Sequence, residues 1–284
     1  MPKTIKISYF SFFTINNEGI HESLNNRFML LLERTNTLRH PDLAAVEVDN
    51  LVKVFGNIRA LDGLSFKVEN GEIYGLIGPN GAGKTTALRI IATLLLPTSG
   101  RVKVFGLDVV EKAEEIRKII SYLPEEAGAY KNLSGIEYLR FMASFNAESK
   151  DEAEAMVRDA VKISGLGERL HDRIKTYSKG MKRRLLVARA LMIKPKLAIL
   201  DEPTSGLDVV HSFHVRSIIK NYVKEFGVTV LLSSHNMLEV EYLCDRVALI
   251  HKGKIVAEGR PEELKAEYKA ENLEEVFVKV TSYA

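Results

Sequence analysis

The residues best suited to chemistry are those of Gly78-Pro79-Asn80-Gly81-Ala82-Gly83-Lys84-Thr85-Thr86. They fit the spacing G-x-x-x-x-G-K-[ST], which cradles a phosphate chain. Glycines let backbone N–H groups turn toward phosphate oxygens with no Cβ in the way. Lys84 is placed to reach the β- and γ-phosphates, and the Thr85 hydroxyl to ligate Mg2+. The helix expected to start here adds its positive N-terminal end. A nucleoside triphosphate is the expected ligand.

A second group follows an apolar run, Leu197-Ala198-Ile199-Leu200, which ends in Asp201-Glu202. Strand ends at one edge of an α/β sheet are where such proteins hold ligands. Asp201 is therefore expected to hold magnesium and Glu202 to polarise the water that attacks the γ-phosphate. Tyr177-Ser178-Lys179-Gly180-Met181 precedes a further helix, Lys182 to Met192. Taken alone, Ser178 reads as an N-cap of a basic, exposed helix. His235, after Ser233-Ser234, reads on its own as an ordinary polar residue at a strand end.

The elements that must position these residues alternate between strand and helix, the signature of a parallel α/β sheet. Strands are expected at Ala45–Leu51, Leu61–Val68, Ile73–Ile77, Arg101–Phe105, Leu197–Leu200, Thr229–Ser233 and Val247–Ile250. Glu69-Asn70-Gly71 reads as a hairpin turn into the strand before the phosphate loop. The helix after that loop should run toward Pro97, and Glu111–Ile120 should be helical with Ser121–Pro124 as an extended loop. Leu133 to about Leu170 has the apolar spacing of a small helical subdomain, and Pro261–Val280 is helix-prone.

Composition bounds the rest. The chain has 284 residues, 46% hydrophobic and 27% charged, the balance of a globular protein. The net charge of +3, with both signs interspersed and no basic run, argues by itself neither for nor against nucleic acid, and no nucleic-acid partner is expected from the reading as a whole. The one cysteine, Cys244, excludes an internal disulfide. No apolar stretch approaches the roughly 20 residues of a membrane helix. Residues 1–45 differ in pattern from the remainder of the chain. Ile5–Ile15 is aromatic and apolar, Asn16–Asn26 polar, and Arg27–Leu38 could form a short helix. A secretion signal, a membrane-surface helix and an unstructured extension before a later start such as Met29 are the readings open, the last being favoured.

The order GPNGAGKTT, YSKGM-KRRL, LAILDEP, TSGLD, SSH resembles the ATP-binding subunit of ABC (ATP-binding cassette) transporters, from about Val46 to Val280. The resemblance implies a P-loop NTPase parallel-sheet core over residues 46–276, with an N-terminal antiparallel β-subdomain, a helical insertion at about 121–178 and a tail at 277–284. It implies ATP and Mg2+ as ligands and a dimer that closes on two ATP molecules. It also assigns roles. Ser178 and Gly180 match the signature that caps the ATP held by the partner subunit. Ser205 to Asp208 match the loop through which the two sites communicate. His235 matches the switch histidine on the γ-phosphate, and Phe55 the ring that stacks on adenine.

Two departures stand out. The signature reads YSKGM rather than LSGGQ, and Glu125 stands where most members have a glutamine that ligates magnesium and contacts the attacking water. Glu125 can still ligate the metal but, ionised, cannot donate a hydrogen bond. Residues Leu273–Phe277 resemble the end of cassettes that serve exporters, most like the ABC-2 type branch. A separate transmembrane permease and a second ATPase copy are the partners implied, at the cytoplasmic face of the membrane. The alternative is a non-transport ABC ATPase acting on nucleic acid or ribosomes. A P-loop kinase or GTPase is disfavoured by the signature and by the lack of an NKxD-like motif.

Overall fold

The computed structural model describes residues 43–282, so the readings made for the segment before Leu43 lie outside the described residues. Two sheets lie in this region. Strands β1 (Val46–Phe55), β2 (Ile58–Val68), β4 (Ser99–Val104) and β5 (Leu107–Asp108) form an antiparallel sheet in the order β2-β1-β4-β5. Strict alternation would turn Leu51 to the face opposite Val46 and Val48. Asn50, at φ 49°, makes an irregularity that resets the register, and all three side chains are buried.

The second sheet has the order β10-β9-β3-β8-β7-β6. Its strands are β3 (Ile73–Ile77), β6 (Ile120–Leu123), β7 (Leu197–Asp201), β8 (Thr229–Ser234), β9 (Arg246–His251) and β10 (Lys254–Gly259). All pairings are parallel except β9–β10. Both faces are covered, and β3, β7 and β8 are buried at every position. Alternate side chains serve different cores. Ile73, Ile77, Leu200 and Leu232 face one, and Tyr74, Leu76, Ile199 and Leu231 the other.

Helix α1 (Lys84–Ile91) and the antiparallel sheet fill the second of these cores. The short α2 (Ala113–Arg117) precedes β6. The first core is closed by α3 (Gly135–Ala143), α4 (Lys150–Ser164), α5 (Lys179–Leu191), α6 (Val209–Phe226) and α7 (Met237–Glu241), with α8 (Pro261–Glu267) and α9 (Leu273–Ser282) completing it. Ser134 and Ser149 cap α3 and α4 through the Glu137 and Glu152 N–H groups. No helix among the described residues is long and apolar enough to cross a membrane.

Several sequence expectations are corrected. Glu69–Gly71 is no hairpin turn. It carries the chain from one sheet to the other, because β2 pairs with β1 while β3 pairs with β8 and β9. Residues 120–123 are a parallel edge strand rather than a helix end and loop. The helix after the phosphate loop stops at Ile91, since Thr93 takes a left-handed φ of 61°. Strand β10 carried too few buried residues to be anticipated.

Candidate active site

The phosphate loop leaves the carboxyl end of β3 and enters α1 at Lys84. Gly83 sits at φ 109°, and a Cβ there would meet the Ala60 carbonyl oxygen at 2.7 Å, so only glycine fits. Gly78 is equally confined, its would-be Cβ directed into the Ile250 backbone. Asn80 and Gly81 are exposed at the tip, while Ala82 is buried, Thr85 is half-buried and Thr86 lies in the first turn of α1. Lys84 is 5% exposed. Its ammonium donates to the carbonyls of Gly78 at 2.7 Å and Pro79 at 3.2 Å.

Three parallel strand ends bring the next residues to it. From β7, Glu202 places Oε1 3.3 Å from Lys84 Nζ, an ion pair without the angle of a hydrogen bond. From the end of β8, His235 sets Nδ1 2.8 Å from Glu202 Oε2. Asp201 Oδ1 accepts from Thr85 Oγ1 at 3.1 Å and from Ser233 Oγ at 2.6 Å. Asp201 Oδ2 accepts from Tyr122 OH at 3.3 Å. Burial and the Asp201 charge both push the Tyr122 phenol up, so it remains a donor. Glu202 itself is 3% exposed and holds φ 48°, a left-handed backbone that costs a residue with a Cβ about 1–2 kcal/mol. Its N–H donates to Ser233 Oγ at 3.0 Å. A strained, buried carboxylate between a lysine and a histidine is an arrangement kept for chemistry.

The second group of expected residues gathers elsewhere. Ser178 does cap α5, its Oγ accepting from Met181 N–H at 3.1 Å. The helix is not the exposed one that its basic residues suggest, because Arg183, Leu185 and Leu186 are buried. Gly180 lies under the His211 ring, which fills the space a Cβ would take. Asp208 caps α6 by accepting from His211 N–H at 2.9 Å, a bond that holds its carboxyl below the usual range. Glu125 Oε1 accepts from Ser205 Oγ at 3.1 Å. Among the described residues no hydrogen bond joins Ser178, Gly180 or Asp208 to the phosphate loop. Phe55 ends β1, 45% exposed, with Lys53 Nζ 4.9 Å above its ring.

Two contributors escape a reading by motif. Ser233 bridges Asp201 and Glu202, and only its place before His235 hints at it. Arg183, seemingly one of three surface cations, is buried and donates to backbone carbonyls on both sides of Glu202.

Oxygen donors on adjacent strand and helix ends, beside a buried lysine in a glycine-confined loop, suit a triphosphate. The comparisons agree. A family model described as ABC transporter matches residues 61–205. The chain is 40% identical over 222 residues to the daunorubicin/doxorubicin resistance ATP-binding protein DrrA of Streptomyces peucetius, covering 78% of this chain and 67% of that one. A solved ATP-binding subunit of an ABC transporter superposes with a TM-score of 0.74 at 29% identity, covering 84% of this chain and 99% of that one. A dimeric ATP-binding cassette in a post-hydrolysis state with ADP and Pi superposes with a TM-score of 0.68 at 25% identity, covering 76% and 98%. The chain belongs to the ABC transporter family, as an ATP-binding and ATP-hydrolysing subunit.

Proposed function

We propose that this subunit powers an exporter by closing with a second copy on two ATP molecules, docked on a separate permease. The observation that carries the chemistry is the buried Glu202 carboxylate, within 3.3 Å of Lys84 and 2.8 Å of His235. In this reading Lys84 and the loop N–H groups of residues 78–86 hold the β- and γ-phosphates. A water oxygen attacks the γ-phosphorus, the bond to the β-phosphate oxygen breaks, and the water's proton passes to Glu202 Oε2. His235 steadies that carboxylate and contacts the γ-phosphate, and Phe55 stacks on the adenine.

The donor set suits Mg2+, a hard cation that takes oxygen ligands. Thr85 Oγ1 and Asp201 Oδ1, 3.1 Å apart, would hold it. Glu125, bonded to Ser205, would have to release that bond to join them. When bound, the ion would neutralise charge on the phosphate oxygens.

Ser178 and Gly180, apart from the phosphate loop of their own chain, are read as facing the ATP of the partner subunit. Ser178→Ala is expected to lower turnover while leaving nucleotide affinity of the monomer intact. A helix cap alone would cost about 1 kcal/mol of stability and leave activity per folded molecule unchanged. Melting and turnover measured on one preparation separate the two.

Export is supported by the Streptomyces relative, named for resistance to two drugs. Docking is supported by an exposed aromatic cluster on the insertion. Tyr130, Phe141 and Phe145 stack edge to face, with centroids 5.5 Å and 4.9 Å apart. Tyr138 is buried beneath this cluster, and Leu133 is half-buried. Such a cluster suits a short amphipathic helix of a membrane partner. Tyr130→Glu with Phe145→Glu should abolish capture of the permease from detergent-solubilised native membranes and leave ATP hydrolysis by the free subunit unchanged. If no membrane protein is captured even by the parent chain, the transporter reading fails.

A further inference from the structure

Arg183 is 7% exposed and gives its guanidinium to five backbone carbonyls drawn from two segments. Nε donates to the Pro203 carbonyl at 2.8 Å, and Nη2 to those of Asp201 at 2.9 Å and Glu202 at shorter range. Nη1 donates to the carbonyls of Pro124 at 3.2 Å and Glu125 at 3.1 Å. Three consecutive carbonyls on one guanidinium fix the peptide planes around Glu202, the residue at φ 48°. A fork of five donors is what such a turn requires, and a lysine ammonium could serve few of them at once.

The arginine is mounted on α5, five residues after Ser178. In a helix that is about 7.5 Å of rise, within the first turns of a helix that Ser178 caps. The next residue, Arg184, donates from Nε to the Ser164 carbonyl at 2.9 Å and also bonds the Gly165 carbonyl. Helix α5 is thereby fastened to the catalytic strand end by one side chain and to the insertion by its neighbour. Burial draws the Arg183 pKa down, against the opposing pull of Glu125, Asp201 and Glu202, but a guanidinium stays charged throughout the working range.

We propose that Arg183 is a positioning residue that locks Glu202 and the Glu125 segment to α5, and so passes the engagement of Ser178 at one ATP site to the general base of the other. This rests on the reading of two copies sharing two sites. When Ser178 meets the partner's γ-phosphate, any shift of α5 reaches the Glu202 turn of its own protomer through the three hydrogen bonds to the carbonyls of residues 201–203 and the Glu125 segment through the other two. The communication thus runs inside each chain, beside the loop of Ser205 to Asp208.

The test is Arg183→Lys, which keeps the charge and loses the fork. Turnover per folded molecule should fall by at least about tenfold, while ATP affinity of the monomer stays within about twofold of the parent. The Hill coefficient for hydrolysis should drop toward that of independent sites. Guanidinium ion, at concentrations that leave the protein folded, should restore part of the turnover of Arg183→Ala. Wild-type cooperativity in folded Arg183→Lys protein overturns the proposal whatever its turnover. A loss of activity that only follows the loss of folded protein overturns it too. The Glu202→Gln chain is sized with ATP in parallel. If it stays monomeric, the two-copy reading has failed and the proposal falls with it. If it dimerises and Arg183→Lys remains cooperative, the proposal alone is wrong.

Discussion

Glu202→Gln should bind ATP about as well as the parent and hydrolyse it about 10²- to 10⁴-fold more slowly, the contribution of a positioned general base. The substitution keeps the shape of a side chain that is 3% exposed, so the packing around it is preserved. In the proposed mechanism it removes the group that takes a proton from the attacking water. Lys84 loses its carboxylate partner but retains the carbonyls of Gly78 and Pro79, so phosphate binding survives. The single amide oxygen can face either Lys84 or His235, whereas the carboxylate serves both. With hydrolysis stopped, the ATP-bound dimer should accumulate and be seen by light scattering. Turnover near that of the parent would remove Glu202 from the role of base.

How far the sequence discloses this site depends on what each residue needs from its neighbours. The phosphate loop is legible because its function lies in backbone geometry. Gly83 at φ 109° and Gly78 against Ile250 leave no room for other residue types, so the constraint is written into the composition of the loop. Asp201 and Glu202 are legible because the buried β7 before them is apolar without interruption. Arg183 is not, since a cation on a helix reads as solvent-exposed until the fold shows carbonyls converging on it. Ser233 is hidden for a similar reason, because a small polar residue at the end of β8 declares no partner.

The fold obeys the same rule. Alternating and continuous apolar runs gave most strands, but pairing is a property of distant segments. Residues 120–123 became an edge strand because β7 offers its free side, with Ile120 opposite Leu197. Nothing within the segment itself distinguishes that from a loop. The turn at residues 69–71 misleads in the same way, since hairpin chemistry is local and the choice of sheet is not. Its Gly71 N–H is claimed by Thr229 Oγ1 at 2.9 Å, across the chain from either flanking strand.

Lys84→Ala should produce two losses that can be told apart. The first is affinity. In the proposed site, removing the cation that would contact the β- and γ-phosphates forfeits about 1.5–3 kcal/mol, or roughly 10- to 150-fold in ATP affinity. The second appears without nucleotide. Glu202 lies buried beside Lys84 at 3.3 Å, and truncating one partner leaves the other charge buried and uncompensated, at about 3–5 kcal/mol. His235 remains at 2.8 Å and, being 45% exposed, keeps Glu202 in contact with a solvated partner. The lower end of that range, about 3 kcal/mol, is therefore expected, or a melting temperature lower by roughly 6–12 °C for a domain of this size. The double variant with Glu202→Gln decides the cause. Neutralising the stranded carboxylate should recover most of the lost stability and none of the ATP affinity. If the double variant melts no higher than Lys84→Ala, the destabilisation comes from the cavity left by the lysine stem and the ion pair contributes little.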